Sequence, residues 1–274
     1  MDTSPVDLRT AASIEAAEAR AWADLYAAAP RDWAASAGVR SRELGGVLVL
    51  EWAVTQRRYF SRAIGLGVAA PATAASIDEI LGVWDEAGIG MFLLQSLPQC
   101  RPAEFEALLR ERGLEPFDAQ DRVIRDGSPA GPLRAELEVE RVTSGTAEEW
   151  SEFLQRVYRL DTGPWLPRLI GRPGWHQYVA REAGEIVAAR GMFVGPDGTA
   201  WLGMDGPVPG LMTQDYEPDA ALCASMVEDG LAAGARRFIT DVEVRSDAME
   251  TPSYAYLSKL GFRRPYVRTH FARL

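Results

Sequence analysis

Residues 108–126 (LLRERGLEPFDAQDRVIRD) and 256–274 (YLSKLGFRRPYVRTHFARL) follow one pattern: an apolar helical turn, a glycine stop, an aromatic residue and a closing strand with arginine. Upstream of each, the same order recurs: strand, glycine-containing loop, helix, apolar strand. A shared order of this length reads as an internal duplication. It constrains the chain to two similar α/β halves, for which 274 residues are enough.

In the first half, helical spacing of Ala, Leu and Trp predicts a helix over 9–29, stopped by Pro30. Strands are expected at 45–54 (GGVLVLEWAV) and 60–67 (FSRAIGLG). A helix follows with Ser76 as N-cap and Glu79 as its capping-box partner, ending at Gly88. Residues 91–96 (MFLLQS) read as a central strand, 102–113 as a second helix and 122–126 as a short closing strand. The connector DGSPAGP (126–132) sets the boundary. The expected domains are therefore residues 1–128 and 134–274, with the functional cleft in the second.

In the second half, a strand over 137–142 precedes a helix over 146–158 that Thr146 and Glu149 would cap as a box. Strands at 176–182, 186–194 and 199–203 form a meander with Ala183-Gly184 and Gly195-Pro196-Asp197-Gly198 turns. A helix capped by Asp219 comes next, then a strand at 237–244, a helix at 251–260 and a final pair of strands through Arg273.

Composition excludes several partners. A formal net charge of −10 is the wrong sign for a nucleic-acid or anionic-membrane surface. The longest apolar stretch, 44–54, is interrupted by Glu51 and is too short for a bilayer. Asp2 and Asp7 stand where a signal peptide would be basic, so a cytoplasmic protein acting on a small molecule is expected. Cys100 and Cys223 are the only cysteines, and no spacing of Cys, His176 or His270 suggests a metal site.

YVAREAGEIVAARGMFV (178–194), TDVEV (240–244) and SYAYLSKLGFRRPYVRTHF (253–271) resemble the strand hairpin, fifth strand and last helix of the GNAT N-acyltransferase superfamily. IGLGVAAPATAASIDEILGVWDEAG (64–88) resembles the degenerate first half of its tandem members. The resemblance covers nearly the whole chain. It implies two GNAT-like halves, each a mixed, mostly antiparallel sheet flanked by helices, the first half truncated. It also implies acyl transfer to a small amine or amino-acid-like acceptor, with acetyl-CoA or another acyl-CoA as donor.

The resemblance aligns the family's pyrophosphate loop, Gln/Arg-x-x-Gly-x-Gly/Ala, with residues 214–220 (QDYEPDA). Gln214 and Ala220 keep the pattern, but Glu217 and Asp219 replace its glycines and Pro218 removes an amide. A carboxylate about 4 Å from a phosphate charge costs about 1 kcal/mol in water and several times that when buried. The loop therefore opposes CoA, and no other cofactor is implied. Gly65-Leu66-Gly67 in the first half reads as a strand bulge rather than a phosphate loop.

Acyl transfer needs a base for the acceptor ammonium and an acid for the leaving thiolate. Where the family places its acidic tyrosine this chain has Leu257, so Tyr254 and Tyr256 are the candidates for the acid. Asp205 after WLGM, and Asp241 with Glu243 on one face of a strand, are the candidates for the base. Trp165, Trp175, Tyr178 and Trp201 either line an apolar substrate cleft or pack in the core. The competing expectation is a GNAT fold turned to CoA-independent acid–base chemistry (cyclisation, dehydration, hydrolysis or decarboxylation) in bacterial specialised metabolism, or to ligand binding alone.

Overall fold

A computed structural model describes residues 2–55, 57–129, 137–207, 217–244 and 252–274. In chain order the elements are α1 (Leu8–Ala27), α2 (Arg31–Ala37), β1 (Val39–Leu44), β2 (Val47–Trp52), β3 (Arg62–Ile64), α3 (Ala74–Glu86), β4 (Leu93–Ser96), α4 (Phe105–Arg110) and β5 (Glu115–Asp126). Then follow β6 (Glu138–Arg141), α5 (Ala147–Tyr158), β7 (Trp175–Glu182), β8 (Glu185–Val194), β9 (Thr199–Pro207), α6 (Glu217–Ala232), β10 (Arg237–Glu243), α7 (Pro252–Lys259) and β11 (Arg263–Ala272).

The chain divides into two compact units. One joins Ser4–Arg122 to Pro265–Leu274, and the other joins Met1–Thr3 to Val123–Arg264. The changeover at Arg122 precedes the DGSPAGP connector, and the last ten residues pack with the N-terminal unit.

In the N-terminal unit the strand order is β1-β2-β3-β4-β11, with β5 beside β11. β3 and β4 are parallel, whereas β11 runs antiparallel to β4 from Thr269↔Ser96 to Phe271↔Leu94. One sheet face packs on α3 and α4 through Val49, Ile77, Ile80, Trp84, Phe92, Leu109 and Phe271. Trp84 stacks on Phe92 at 4.4 Å and donates to the Leu50 carbonyl, so its indole N–H is satisfied in the core.

The opposite face is polar. Glu15 and Glu18, one turn apart on α1, meet Arg62, Arg122 and Arg268, and all five are at most 4% exposed. Glu18 is bound by Arg122 and Arg268 and lies 3.3 Å from Arg62. Glu15 takes Arg268 at 3.2 Å and the Tyr266 hydroxyl at 2.7 Å. Beside them His270 Nδ1 meets Asp118 at 2.5 Å, Tyr59 donates to the same carboxylate, and Gln95 lies 3.4 Å from His270 Nε2.

In the C-terminal unit the order is β10-β9-β8-β7-β6, with β5 beside β10. β6 to β9 form an antiparallel meander and β10 is parallel to β9. α6 and α7 cover one face through Leu222, Met226, Val227, Leu257 and Phe262 against Tyr178, Met192, Leu202 and Phe238.

Several local expectations are corrected. α3 is capped by Thr73, with Ser76 as the reciprocal partner, so it starts two residues before Ser76. Thr146 precedes α5 without capping it, because its hydroxyl takes the Thr143 amide at 3.0 Å and Glu149 pairs with Arg181 at 2.7 Å. Asp219 lies inside the first turn of α6 rather than at its N-cap. A single strand, β11, replaces the final pair. β1 was missed because its VRSREL pattern is polar on an edge, where side chains need not alternate with a core.

Candidate active site

In the C-terminal unit β9 and β10 pair only from Arg237↔Thr199 to Ile239↔Trp201 among the described residues. Both strands run on, to Pro207 and Glu243. The register of β8 against β9 slips between Ala189↔Gly206 and Gly191↔Gly203, leaving Met204 and Asp205 opposite Arg190 as a bulge. Met204 has φ +55°, a strained value for a side-chain-bearing residue. A bulge where two neighbouring strands part leaves backbone donors and acceptors that a bound molecule can use.

Arg190 projects from this point into the face covered by α6 and is 3% exposed. Its guanidinium reaches Asp219 Oδ1 at 2.6 Å and Thr240 Oγ1 at 2.7 Å. Tyr256, from α7, donates to Asp219 Oδ2. Burial opposes the Arg190 charge, but Asp219 and its acidic neighbours raise Arg190 well above its ordinary value. Burial, then Asp219, raises the Tyr256 phenol well above its ordinary value, so it keeps its proton. Cys223, buried in the same cluster, is likewise raised and stays a thiol.

This clamp decides how the first turn of α6 meets an anion. The Asp219 carboxylate occupies the positive end of the helix and is neutralised there by Arg190. Pro218 offers no amide, and Glu217 is exposed. The described part of the turn does not fit a pyrophosphate cradle. Gln214, expected to help hold the cofactor, lies outside the described residues, and Ala220 is buried in α6. In the N-terminal unit the corresponding helix start is filled as well. Thr73 takes the Ser76 amide, Ala72 N–H goes to the Arg101 carbonyl at 2.8 Å, and a Cβ on Gly67 would lie 3.2 Å from that carbonyl.

The other expected site residues fall as follows. Asp205 is exposed on the bulge, and its carbonyl accepts from the Tyr158 hydroxyl. Asp241 is half-buried on β10 beyond the last pair with β9. The side chains of Glu243 and Tyr254 lie outside the described residues. Trp165, Trp175, Tyr178 and Trp201 are at most 4% exposed and offer no surface to solvent. Trp175 meets Trp201 edge-on at 6.3 Å, while the Tyr178 hydroxyl binds Asp229 at 2.6 Å on the α6 face.

Sequence reasoning passed over Arg190, Thr240 and Tyr158. Arg190 had a usable signal, since it is the sole charge within the apolar run IVAARGMFV and must be paired once that strand is buried. No group of three or more potential metal ligands occurs among the described residues. No described helix is long and apolar enough to cross a membrane.

No protein-family model matches the chain, and no curated protein matches its sequence. Its fold is similar to a GCN5-related N-acetyltransferase from Kribbella flavida (TM-score 0.57, 16% identity, 85% of this chain and 88% of that one). A GCN5-related N-acetyltransferase from Sphaerobacter thermophilus matches with TM-score 0.56 and 14% identity over 82% of this chain and 79% of that one. A tandem GNAT protein from the clavulanic acid biosynthesis pathway matches with TM-score 0.51 and 13% identity over 84% of this chain and 80% of that one. At these identities the likeness speaks for fold, and the fold is that of the GCN5-related N-acetyltransferase (GNAT) superfamily, tandem members included.

Proposed function

We propose that the C-terminal unit is an N-acyltransferase for a small amine or amino-acid-like acceptor, and that it holds its thioester donor without a pyrophosphate grip. The carrying observation is the parting of β9 from β10 after Ile239↔Trp201, among the described residues, beside the Met204–Asp205 bulge, kept while the first turn of α6 is filled by the Arg190–Asp219–Tyr256 clamp. The N-terminal unit is then the degenerate GNAT-like half.

On this reading Asp241, with Glu243 two residues further along β10, takes the proton from the acceptor ammonium, and exposed Asp205 attracts it. Tyr256 is a positioning group, because its proton is committed to Asp219. Tyr254 is left as the candidate acid for the departing thiolate. Trp175 and Trp201 meet edge-on and support the sheet at this end. The donor is acyl-CoA or a shorter acyl-pantetheine thioester, and the protein works in the cytoplasm of a bacterium, in specialised metabolism.

The clamp also favours a second reading, CoA-independent acid–base chemistry around Asp205, Asp241 and Glu243. Free-thiol release from acetyl-CoA and from S-acetyl-pantetheine, measured with a panel of small amines, separates the two. Acyl transfer predicts acceptor-dependent release that falls about 100-fold or more in Asp241→Asn. No release with any acceptor would leave acid–base chemistry or simple ligand binding in its place.

A further inference from the structure

In the N-terminal unit β11 is held to β4 by three pairs, and the middle one sets His270 directly opposite Gln95. Both side chains lie on the polar face of the sheet, Gln95 2% and His270 0% exposed. What happens at this pair therefore bears on how the last strand is seated.

One side of the imidazole is fixed. His270 Nδ1 lies 2.5 Å from Asp118 Oδ1, and an ionised carboxylate can only accept, so Nδ1 carries a hydrogen. Burial works against the Asp118 charge, but the His270 and Tyr59 hydrogen bonds hold that carboxyl below its ordinary value. Tyr59 donates to the other carboxylate oxygen, and its ring meets the imidazole edge-on at 5.6 Å.

The other side is incomplete. A neutral ring with its hydrogen on Nδ1 offers Nε2 as an acceptor, and the Gln95 amide nitrogen stands 3.4 Å from it. Gln95 Oε1 is left buried without a partner, a costly arrangement that the neutral ring does not repay. Protonation gives that oxygen a use. The imidazolium makes Nε2 a donor, which would face the donor of the amide. Half a turn of the amide about its last bond puts Oε1 on the Nε2 hydrogen instead.

The surrounding charges act in both directions. Asp118 on β5 favours the second proton, whereas Arg268 on β11 and Arg62 on β3 oppose it. Glu18 and Glu15 on α1 answer those arginines together with Arg122 on β5, and Tyr266 donates to Glu15. Burial, first among these effects, sets the His270 transition on the acid side of 6.5.

We propose that Gln95 is a two-position partner for His270, giving its amide nitrogen to the neutral ring and its amide oxygen to the imidazolium, and that this keeps β11 paired with β4 through an acid transition. One proton is taken up from solvent at Nε2, and only hydrogen bonds are exchanged. The device is independent of acyl transfer.

Heteronuclear NMR of the native chain follows the His270 ring nitrogens and the Gln95 side-chain amide through an acid titration. The ring should carry its hydrogen on Nδ1 near neutral pH, and the Gln95 amide signals should shift with the same midpoint as the ring. Gln95→Glu, which offers an accepting carboxylate, should raise that midpoint by about one pH unit or more, and Gln95→Leu, which offers nothing, should lower it by about one. Below its midpoint Gln95→Leu should exchange the backbone amides of 269–271 about tenfold faster than the native chain at the same pH, which keeps its protection. Circular dichroism reports whether each variant folds, and either one alone tests the midpoint. A neutral ring with its hydrogen on Nε2, or Gln95 signals that ignore the titration, would overturn the inference. So would midpoints within about 0.3 of native in the folded variants, or unfolding of the native chain before His270 titrates.

Discussion

Asp219→Ala removes the one carboxylate bound to Arg190 among the described residues, a guanidinium 3% exposed beneath α6. Stripping one partner from a buried ion pair costs about 3–5 kcal/mol, because the remaining charge is stranded in low dielectric. The Asp219 side chain is 29% exposed, which places the loss at the lower end, about 3 kcal/mol. A domain of this size would lose about 2–4 °C of Tm for each kcal/mol. Arg190→Met leaves Asp219 with the Tyr256 hydroxyl and the positive end of α6, so it should cost about 1–2 kcal/mol. The double variant has no stranded charge and should be no less stable than Asp219→Ala alone, a coupling of at least about 1–2 kcal/mol. Urea unfolding of the four proteins measures the cycle. Single losses that add to within about 0.5 kcal/mol would refute the clamp.

Glu18→Gln should cost about 3–5 kcal/mol by thermal unfolding, since Arg122, Arg268 and Arg62 all converge on that carboxylate. Burial alone would raise its pKa, but Arg122, then Arg268 and Arg62, hold it well below the ordinary 4.5. Its contribution is therefore full above about 4.5 and is lost as pH falls further, so the acid limb of a stability–pH curve should flatten in the variant. His270 is shifted below its ordinary 6.5, by burial first, so native stability should also decline as pH falls below 6.5. His270→Gln should remove that part of the slope. Gly230→Ala tests packing against propensity: helix propensity alone predicts a gain of about 1 kcal/mol, but the new Cβ would meet Phe238 at 2.5 Å and Met192 Sδ at 3.2 Å. A net loss of about 1–3 kcal/mol is expected, and a raised Tm would contradict it.

Periodicity carried the fold well where one face is apolar. α1, the β7–β9 meander and α6 all follow patterns visible in the residues. It failed where polar side chains form the buried face. Glu15 and Glu18 share the inner face of α1 with Ile14 and Trp22, and Tyr266, Arg268 and His270 alternate on β11. Their spacing was legible, but charged residues at such spacing ordinarily face water. The acids at 217 and 219 read as a charge repelling a phosphate, because nothing local reveals that Arg190, far earlier in the chain, answers Asp219. The aromatic residues gave no way to tell cleft from core; Trp165, Trp175, Tyr178 and Trp201 are all buried, and Trp175 also lines a cavity. The association of β11 with the N-terminal unit is a long-range pairing that no local signal encodes.

Calorimetric titration of the native chain with acetyl-CoA and with S-acetyl-pantetheine tests the central claim most directly. An acyltransferase whose α6 start is closed by Asp219 should bind both thioesters with dissociation constants within about threefold of each other. Acetyl-CoA binding tenfold or more tightly than S-acetyl-pantetheine would mean that the nucleotide end is gripped after all. Binding of neither thioester would contradict acyl transfer itself.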